Sequence, residues 1–540
     1  MAEPASSGRD QIATHAAWLT LGTLASRILG MAREAMIAAT FEIGATDAFF
    51  VAWRVPNAMR AMLAEGAARY VFFPALGQAL TADSTRLATD DDAARARLRA
   101  TLGDIRGSGA LVLGLCTIAG IVFARPLFAL MSGGFSGDSA RFELGTSLLR
   151  VLFPYLFFMG WFAIGNSALQ ILKIVRPGAF APVMLNVAFL VIPFPLMPLL
   201  ASRGYAAIYA LAIAALVGGV LQLVWLMPAL RRERLVSRPT LRWNATTRQL
   251  ASNFVAQIYG QAVYQINVVL AGRFLSSLPR GSASYFNYAQ RLADIPQGLF
   301  AVALSGAAAI SMQTDASRGD LDAVARKYET SLRMAAVVAL PMAVILGVYA
   351  EAIVPLIYSY GRFRSLGPSG VLEVAESLRF QCVGIGLLAF VHQTTAVFGS
   401  LQRRRTVVGA ATASLGTFSL VGHFGAARFG HAGVAMAMAA SAAVQLATLL
   451  FLVRRAIPVR FSDTGPTIAR VLAACGASAL AARALVLFAP VTQPTLPNRI
   501  FAVLGGCFVL SVYVFVAWWT GCEEIQQLVA KVRRTLGRQS

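Results

Sequence analysis

Two stretches that otherwise read as membrane-spanning helices contain Arg27, Arg33, Glu34, Asp47, Arg54, Arg60, Glu65 and Arg69. An ionised group at the bilayer centre costs roughly 2.5 to 3.5 kcal/mol on the lenient insertion scale, so such a group persists only facing a bundle interior or a watery cavity. Arg27 and Arg33 are six residues apart, which on one helix sets them about 120° apart with a rise of roughly 9 Å, so both can face one cavity. Further on, Arg291 and Asp294 form an i, i+3 pair on one helical face. Guanidinium stays charged, offers a planar fork of donors and is less strongly hydrated than ammonium, so it suits a bulky anion of the diphosphate kind in a low-dielectric setting. Glu34, Asp47, Glu65 and Asp294 can neutralise these arginines when no anion is present, and exchange of partners would link binding to movement. The plainer reading, ion pairs fixing helix register or arginines snorkelling to the interface, weighs most for Glu65 and Arg69. A second pattern, Asn253, Gln257, Gln261 and Gln265, recurs every four residues as one polar stripe, which suits a cavity lining and interhelical hydrogen bonding equally.

The elements that must position these groups follow from composition. With 57% hydrophobic and only 13% charged residues over 540 positions, the chain is far too apolar for a soluble protein. Its net charge of +22 is distributed in short basic clusters between apolar spans, which points to topology and anionic lipid headgroups rather than nucleic acid. The N-terminal residues are polar and lack the basic region, apolar core and cleavage site of a secretory signal, so they are expected to be retained. The five cysteines stand singly, and His15, His392, His423 and His431 have no metal-ligand spacing, so neither a disulfide framework nor a metal site is expected. No Walker A run occurs, and no cofactor is expected.

Taking about 20 apolar residues per crossing, spans fall at roughly 12–40, 45–80, 107–131, 143–174, 180–200, 205–230, 247–276, 282–312, 331–358, 371–400, 405–423, 430–453, 466–489 and 498–520, about 14 in all. The predicted fold class is therefore an all-α integral membrane protein. Alternate connections are rich in Arg and Lys, which by the positive-inside rule puts both termini in the cytoplasm. TDDDAARARLRATL, before the third span, reads as a short helix lying along the cytoplasmic surface. Phe49, Ala52 and Arg54 recur as Phe286, Ala289 and Arg291. Gly133 and Phe135 recur as Gly361 and Phe363, and Leu149–Arg150 as Leu378–Arg379. This common order predicts two pseudo-symmetric six-helix bundles plus two C-terminal helices: an N-terminal lobe over 1–246 with a cytoplasmic linker, a C-terminal lobe over 247–460, and helices 13 and 14 with a tail over 461–540. Two such lobes about a central site are the layout of an alternating-access transporter rather than a pore.

SRILGMARE followed by ATDAFFVAWRVPNAMRAMLAEGA closely resembles the opening of the MurJ (MviN) family of lipid II flippases, within the multidrug/oligosaccharidyl-lipid/polysaccharide exporter superfamily. LLRVLFPYLFF with APVMLN, NYAQRLADIPQG, LPMAVILGVYAEAIVPLIYSYGRF and HAGVAMAMA extend the resemblance over nearly the whole chain. It implies a 14-helix bundle of the bacterial inner membrane that moves lipid II, the undecaprenyl-diphosphate-linked peptidoglycan precursor, from the cytoplasmic to the periplasmic leaflet. It also implies that Arg27, Arg33, Arg60 and Arg291 line a cationic cavity, that Asp47 matches the family's acidic residue at the start of helix 2, and that helices 13 and 14 form a groove for the lipid tail. Expected partners are lipid II, membrane lipids and cell-wall synthesis proteins, with a monomeric chain. This chain departs from the family at Gln290, where many relatives carry an acid, at Arg69, and at the run RRRTVV after helix 10. The spans from Gln249 to Ser276 and from Thr406 to His423 contain no Asp or Glu, so the carboxylate sodium site of some relatives is not expected.

Four rival readings are set against this one. A carrier for another polyprenyl-linked glycan fits the same arginines, whereas a MATE-like exporter of cationic drugs would want carboxylates and aromatics in its cavity. A membrane enzyme acting on a lipid diphosphate would need an ordered acid, base or nucleophile at a membrane face, and none is evident. A non-transporting scaffold that recruits cell-wall proteins would keep the fold without the activity.

Overall fold

The structure, a computed structural model, describes residues 8–63, 72–73, 75–77, 91–242, 244–296, 302–462, 464–488, 495–527 and 530. Glu65 and Arg69 lie outside them. Among the described residues every regular element is a helix. They are α1 (Gly8–Thr40), α2 (Ile43–Ala61), α3 (Asp91–Val122), α4 (Ala124–Met131), α5 (Ser139–Leu152), α6 (Pro154–Ile171), α7 (Arg176–Val191), α8 (Pro193–Ser202) and α9 (Tyr209–Arg232). There follow α10 (Ala245–Ser276), α11 (Ser282–Pro296), α12 (Val302–Ser317), α13 (Leu321–Val348), α14 (Ala350–Tyr358), α15 (Gly361–Arg364), α16 (Gly367–Ser400), α17 (Arg404–Ala456), α18 (Thr464–Phe488) and α19 (Leu496–Trp519). Eight of these helical spans are long and apolar enough to cross a bilayer alone, and the bent pair α7 and α8 makes a ninth.

Helix breaks fall where the residues demand them. Pro154 and Pro193 each open a new helix, splitting the expected 143–174 span into α5 and α6 and bending α7 against α8 by 42°. α17 runs for 53 residues, roughly 80 Å if straight, far more than the ~30 Å hydrocarbon core. It is two helices joined at Gly430, whose φ of +57° lies in the left-handed region. The returning helix approaches so closely that a Cβ on Gly433 would stand 1.9 Å from the Gly425 carbonyl oxygen.

One expectation is corrected. The TDDDAARARLRATL segment is not a separate surface helix: from Asp91 onward it is continuous with the third span as α3. The connection after α9 folds along it and satisfies its polar groups. Arg106 donates to the carbonyls of Leu235 and Ser237, the Thr240 hydroxyl donates to Asp104 at 2.5 Å, and the Asn244 amide donates to the other Asp104 oxygen at 2.8 Å.

The chain forms two compact units, Met1–Ile37 with Gly44–Ser277, and Ala38–Ile43 with Leu278–Ser540. Several residues matched by the internal repeat are buried in both. Phe49 and Ala52 on α2, and Phe286 and Ala289 on α11, are fully buried. Phe135 in the short turn Gly133–Gly137 and Phe363 in α15 are likewise buried. In the second unit the last span and the segment after it are anchored at several levels: Arg333 pairs with Glu524 at 2.8 Å, the Tyr513 hydroxyl donates to the Val337 carbonyl at 2.7 Å, and Arg499 donates to the Tyr360 hydroxyl at 2.9 Å. Cys475 and Cys522 pack beside Tyr513 as free thiols.

A bulky residue at the Gly430 hairpin should therefore be poorly tolerated. Gly433→Val is expected to destabilise by about 1 to 3 kcal/mol, whereas Gly416→Val, with open space around its Cβ, should leave stability unchanged. Thermal unfolding of the purified variants in detergent measures both.

Candidate functional site

α1 is continuous from Gly8 to Thr40, so Arg27 and Arg33 keep the spacing inferred from sequence. It crosses α7 at close quarters: a Cβ on Gly22 would lie 2.3 Å from the Ala179 carbonyl oxygen. This crossing brings Asn186 and Phe189, one turn apart on α7, against Arg33. Arg33 and Glu34 are both buried, and Arg33 Nη2 donates to Glu34 Oε1 at 2.6 Å. Arg33 Nη1 donates to Asn186 Oδ1 at 3.2 Å, and its guanidinium carbon stands 4.9 Å from the Phe189 ring centre. The Asn186 amide in turn donates to the Ser26 carbonyl at 2.9 Å, which ties the turn of α1 before Arg27 to α7. Phe189 continues into an aromatic wall through Trp53 at 5.8 Å and Tyr155 beyond it at 5.2 Å from Trp53. A cation held by a carboxylate, an amide oxygen and a ring face is well compensated in an apolar setting.

α2 carries the next group. Asp47 is fully buried, and its Oδ2 lies 3.7 Å from Arg141 Nη1 at the start of α5. Arg141 is itself fixed by Asp138, with Nε to Oδ2 at 2.7 Å, and lies over Phe135 at 4.7 Å. Asp138 also caps α5 by accepting from the Arg141 backbone N–H at 3.1 Å. Arg27, Arg54 and Arg60 are half-buried. Arg60 Nε donates to Asn57 Oδ1 one turn earlier at 3.2 Å.

In the second unit α11 has two faces. Phe286, Ala289, Leu292 and Ala293 are buried, while Asn287, Gln290, Arg291 and Asp294 form a half-buried polar face. The buried face is pinned by Gln381, whose amide donates to the Phe286 carbonyl at 3.1 Å, and by Tyr358, whose hydroxyl donates to the Tyr288 carbonyl at 3.0 Å. Asn253 is half-buried on α10. Gln257, Gln261 and Gln265 belong to the same helix, but their side chains, like all of Glu65, lie outside the described residues.

The first unit thus brings Arg33 together with Glu34, and gives Asp47 a partner that the sequence reading had not singled out. Arg141, Asn186 and Gln381 were all missed. Each had a signal: Asp138 three residues before Arg141 is a capping pattern, and Asn186 and Gln381 are lone amides in apolar spans, the residues that join membrane helices.

Residues 37–504 match the family described as Lipid II flippase MurJ. The lipid II flippase MurJ of Burkholderia cenocepacia is 30% identical over 441 residues, 80% of this chain and 81% of that protein. A probable lipid II flippase MurJ of Bdellovibrio bacteriovorus is 28% identical over 526 residues, 96% of this chain and 97% of its own. A solved structure described as lipid II flippase MurJ in an inward closed conformation is similar with a TM-score of 0.70 at 18% identity, covering 95% of this chain and 99% of that one. At that identity the likeness is one of fold.

The Asp47 and Arg141 contact should be energetically coupled. A double-mutant cycle with Asp47→Asn and Arg141→Gln, read by chemical unfolding in detergent, is expected to give a non-additive term of about 1 kcal/mol or more. Strict additivity would show that the two groups stabilise the fold independently.

Proposed function

Because this chain belongs to the MurJ family of lipid II flippases, we propose that it carries lipid II from the cytoplasmic to the periplasmic leaflet of the bacterial inner membrane by alternating access. The lipid is moved and left chemically unchanged. Arg27, Arg33, Arg54 and Arg60 of the first unit and Arg291 of the second receive the diphosphate and its sugar headgroup. Glu34, Asp47 and Asp294 act as the counter-ions that hold these cations when no substrate is bound. Both termini face the cytoplasm, and the chain works as a monomer alongside the cell-wall synthesis proteins that consume its product.

The observation that carries this reading is the burial of Arg33 with Glu34 in the C-terminal part of α1, within a chain matched to the family over residues 37–504. A guanidinium there demands compensation, and a diphosphate can supply the same charge as a carboxylate with more acceptor oxygens. The polyprenyl tail need not enter the polar site, because it is as apolar as the bilayer it leaves. Return of the empty carrier, with its arginines in excess, is favoured by an inside-negative membrane potential only to the extent that net charge crosses the field, about 2.3 kcal/mol per charge per 100 mV.

Complementation tests the assignment. In cells depleted of their own flippase, the wild-type chain is expected to restore growth and expose lipid II on the outer leaflet. Arg27→Ala and Arg291→Ala, expressed at wild-type levels, are expected to fail, since each loses a charge-assisted contact of about 1.5 to 3 kcal/mol, roughly tenfold or more in substrate occupancy. Full rescue by both variants would refute the site, and absence of rescue by the wild type would refute the function.

A further inference from the structure

A cavity of the second unit, about 680 Å3, is not accounted for by this reading. It lies among α13, the start of α14, α16 and α18, and its inner wall is apolar, with Leu340, Val344, Val383 and Leu387. It exists because the positions that would fill it are small: Ala343, Gly347 and Gly386 line it too. A Cβ on Gly386 would meet only ordinary contacts, 3.5 Å from Ala343 and 3.7 Å from Leu340. No residue of α19 is among those lining it, so it is distinct from a groove between the two terminal helices.

Three charged groups line the same cavity, Glu351, Arg379 and Arg483. Glu351 and Arg379 form an ion pair with each other. Arg483 makes no hydrogen bond or ion pair with any described residue, so the cavity holds two guanidiniums and one carboxylate, an excess of one positive charge. Arg483 stands on α18 five residues before its last residue, Phe488, roughly 8 Å of rise from the helix end. From there a long arginine side chain can snorkel to the headgroups. Its neighbours on the same face, Leu480 and Leu487, are 75% and 71% exposed, and Val383 at the cavity wall is 56% exposed. An arginine set in a face of exposed aliphatic residues looks into lipid rather than water.

We propose that this cavity is a binding site for one anionic phospholipid, with an acyl chain along the apolar wall and the phosphate held by Arg483 and Arg379. A cavity of this size is in the range that buries a small ligand. The charge excess selects an anionic headgroup, and the exposed aliphatic mouth selects a ligand that arrives sideways from the bilayer. In the orientation proposed above, the site faces the outer leaflet.

Lipid retention tests this without any transport step, so it stands or fails separately from the flippase reading. The purified full-length protein is equilibrated in nanodiscs of equal phosphatidylglycerol and phosphatidylcholine with matched chains, then delipidated stepwise, and the lipids retained per protein are counted by native mass spectrometry. The wild type is expected to keep phosphatidylglycerol over phosphatidylcholine. Arg483→Gln is expected to keep one phosphatidylglycerol fewer, its occupancy at that site falling roughly tenfold for loss of one charge-assisted contact. Gly386→Leu, which fills the cavity, should lose the same lipid with Arg483 intact. Arg428→Gln, an exposed arginine elsewhere, should behave as wild type. Equal retention of the two lipids by the wild type, or unchanged retention by Arg483→Gln, would overturn the proposal. Should Gly386→Leu fail to fold, the Arg483→Gln result decides alone.

Discussion

An ionised side chain inside an apolar bundle has to be compensated by its immediate neighbours, and much of this architecture follows from how that is done. Arg33 meets a carboxylate, an amide and an aromatic face within one turn of α1 and one turn of α7. Arg141 meets Asp47 and Asp138 and a phenyl ring. Arg333 and Glu524, and Arg379 and Glu351, do the same in the second unit. Most of these charges lie where two helices meet, so the groups that burial penalises most also fix which helices are neighbours and in what register. Removing one partner would strand the other in a medium where a lone charge is far costlier than the pair.

Backbone breaks complement the charges. A membrane helix can bend only where its hydrogen-bond ladder is interrupted and the freed groups find partners. Proline does this at α6 and α8, and Gly430 does it by adopting a conformation closed to most residues. At the α13 to α14 break, Tyr349 reaches across to α19. Gly505 on α19 has no side chain because the Tyr349 hydroxyl occupies that space, at 2.3 Å from where a Cβ would be. One terminal helix is thereby keyed to a single bulky ring in the second unit.

The helical membrane fold was legible from residue pattern because hydrophobic spans are local signals, whereas the breaks at Pro154 and Pro193 fall inside expected spans. Phe49 and Ala52, which recur in sequence as Phe286 and Ala289, are buried as those partners are. The continuity of α3 was not legible. Asp104 and Arg106 look like surface charges in sequence, yet they are satisfied by the connection more than 125 residues later, at Leu235 and Thr240. The same limit applies to the site. Residue types identified Arg33 and Asp47 as buried charges in need of partners, but the identities of Asn186 and Arg141 depend on where helices cross, which no spacing rule encodes.

The arrangement around Arg33 bears on how an anion could displace its partners. Glu34 is the next residue on the same helix, and Asn186 belongs to the same compact unit, so a rigid movement of that unit breaks neither contact. On the function proposed here, an arriving diphosphate would compete with Glu34 and Asn186, and its gain would be the difference between two charge-assisted arrangements rather than the full strength of one. A small difference suits a carrier. It permits capture where substrate is supplied and release where it is consumed, whereas an uncompensated arginine cluster would bind the first diphosphate and keep it.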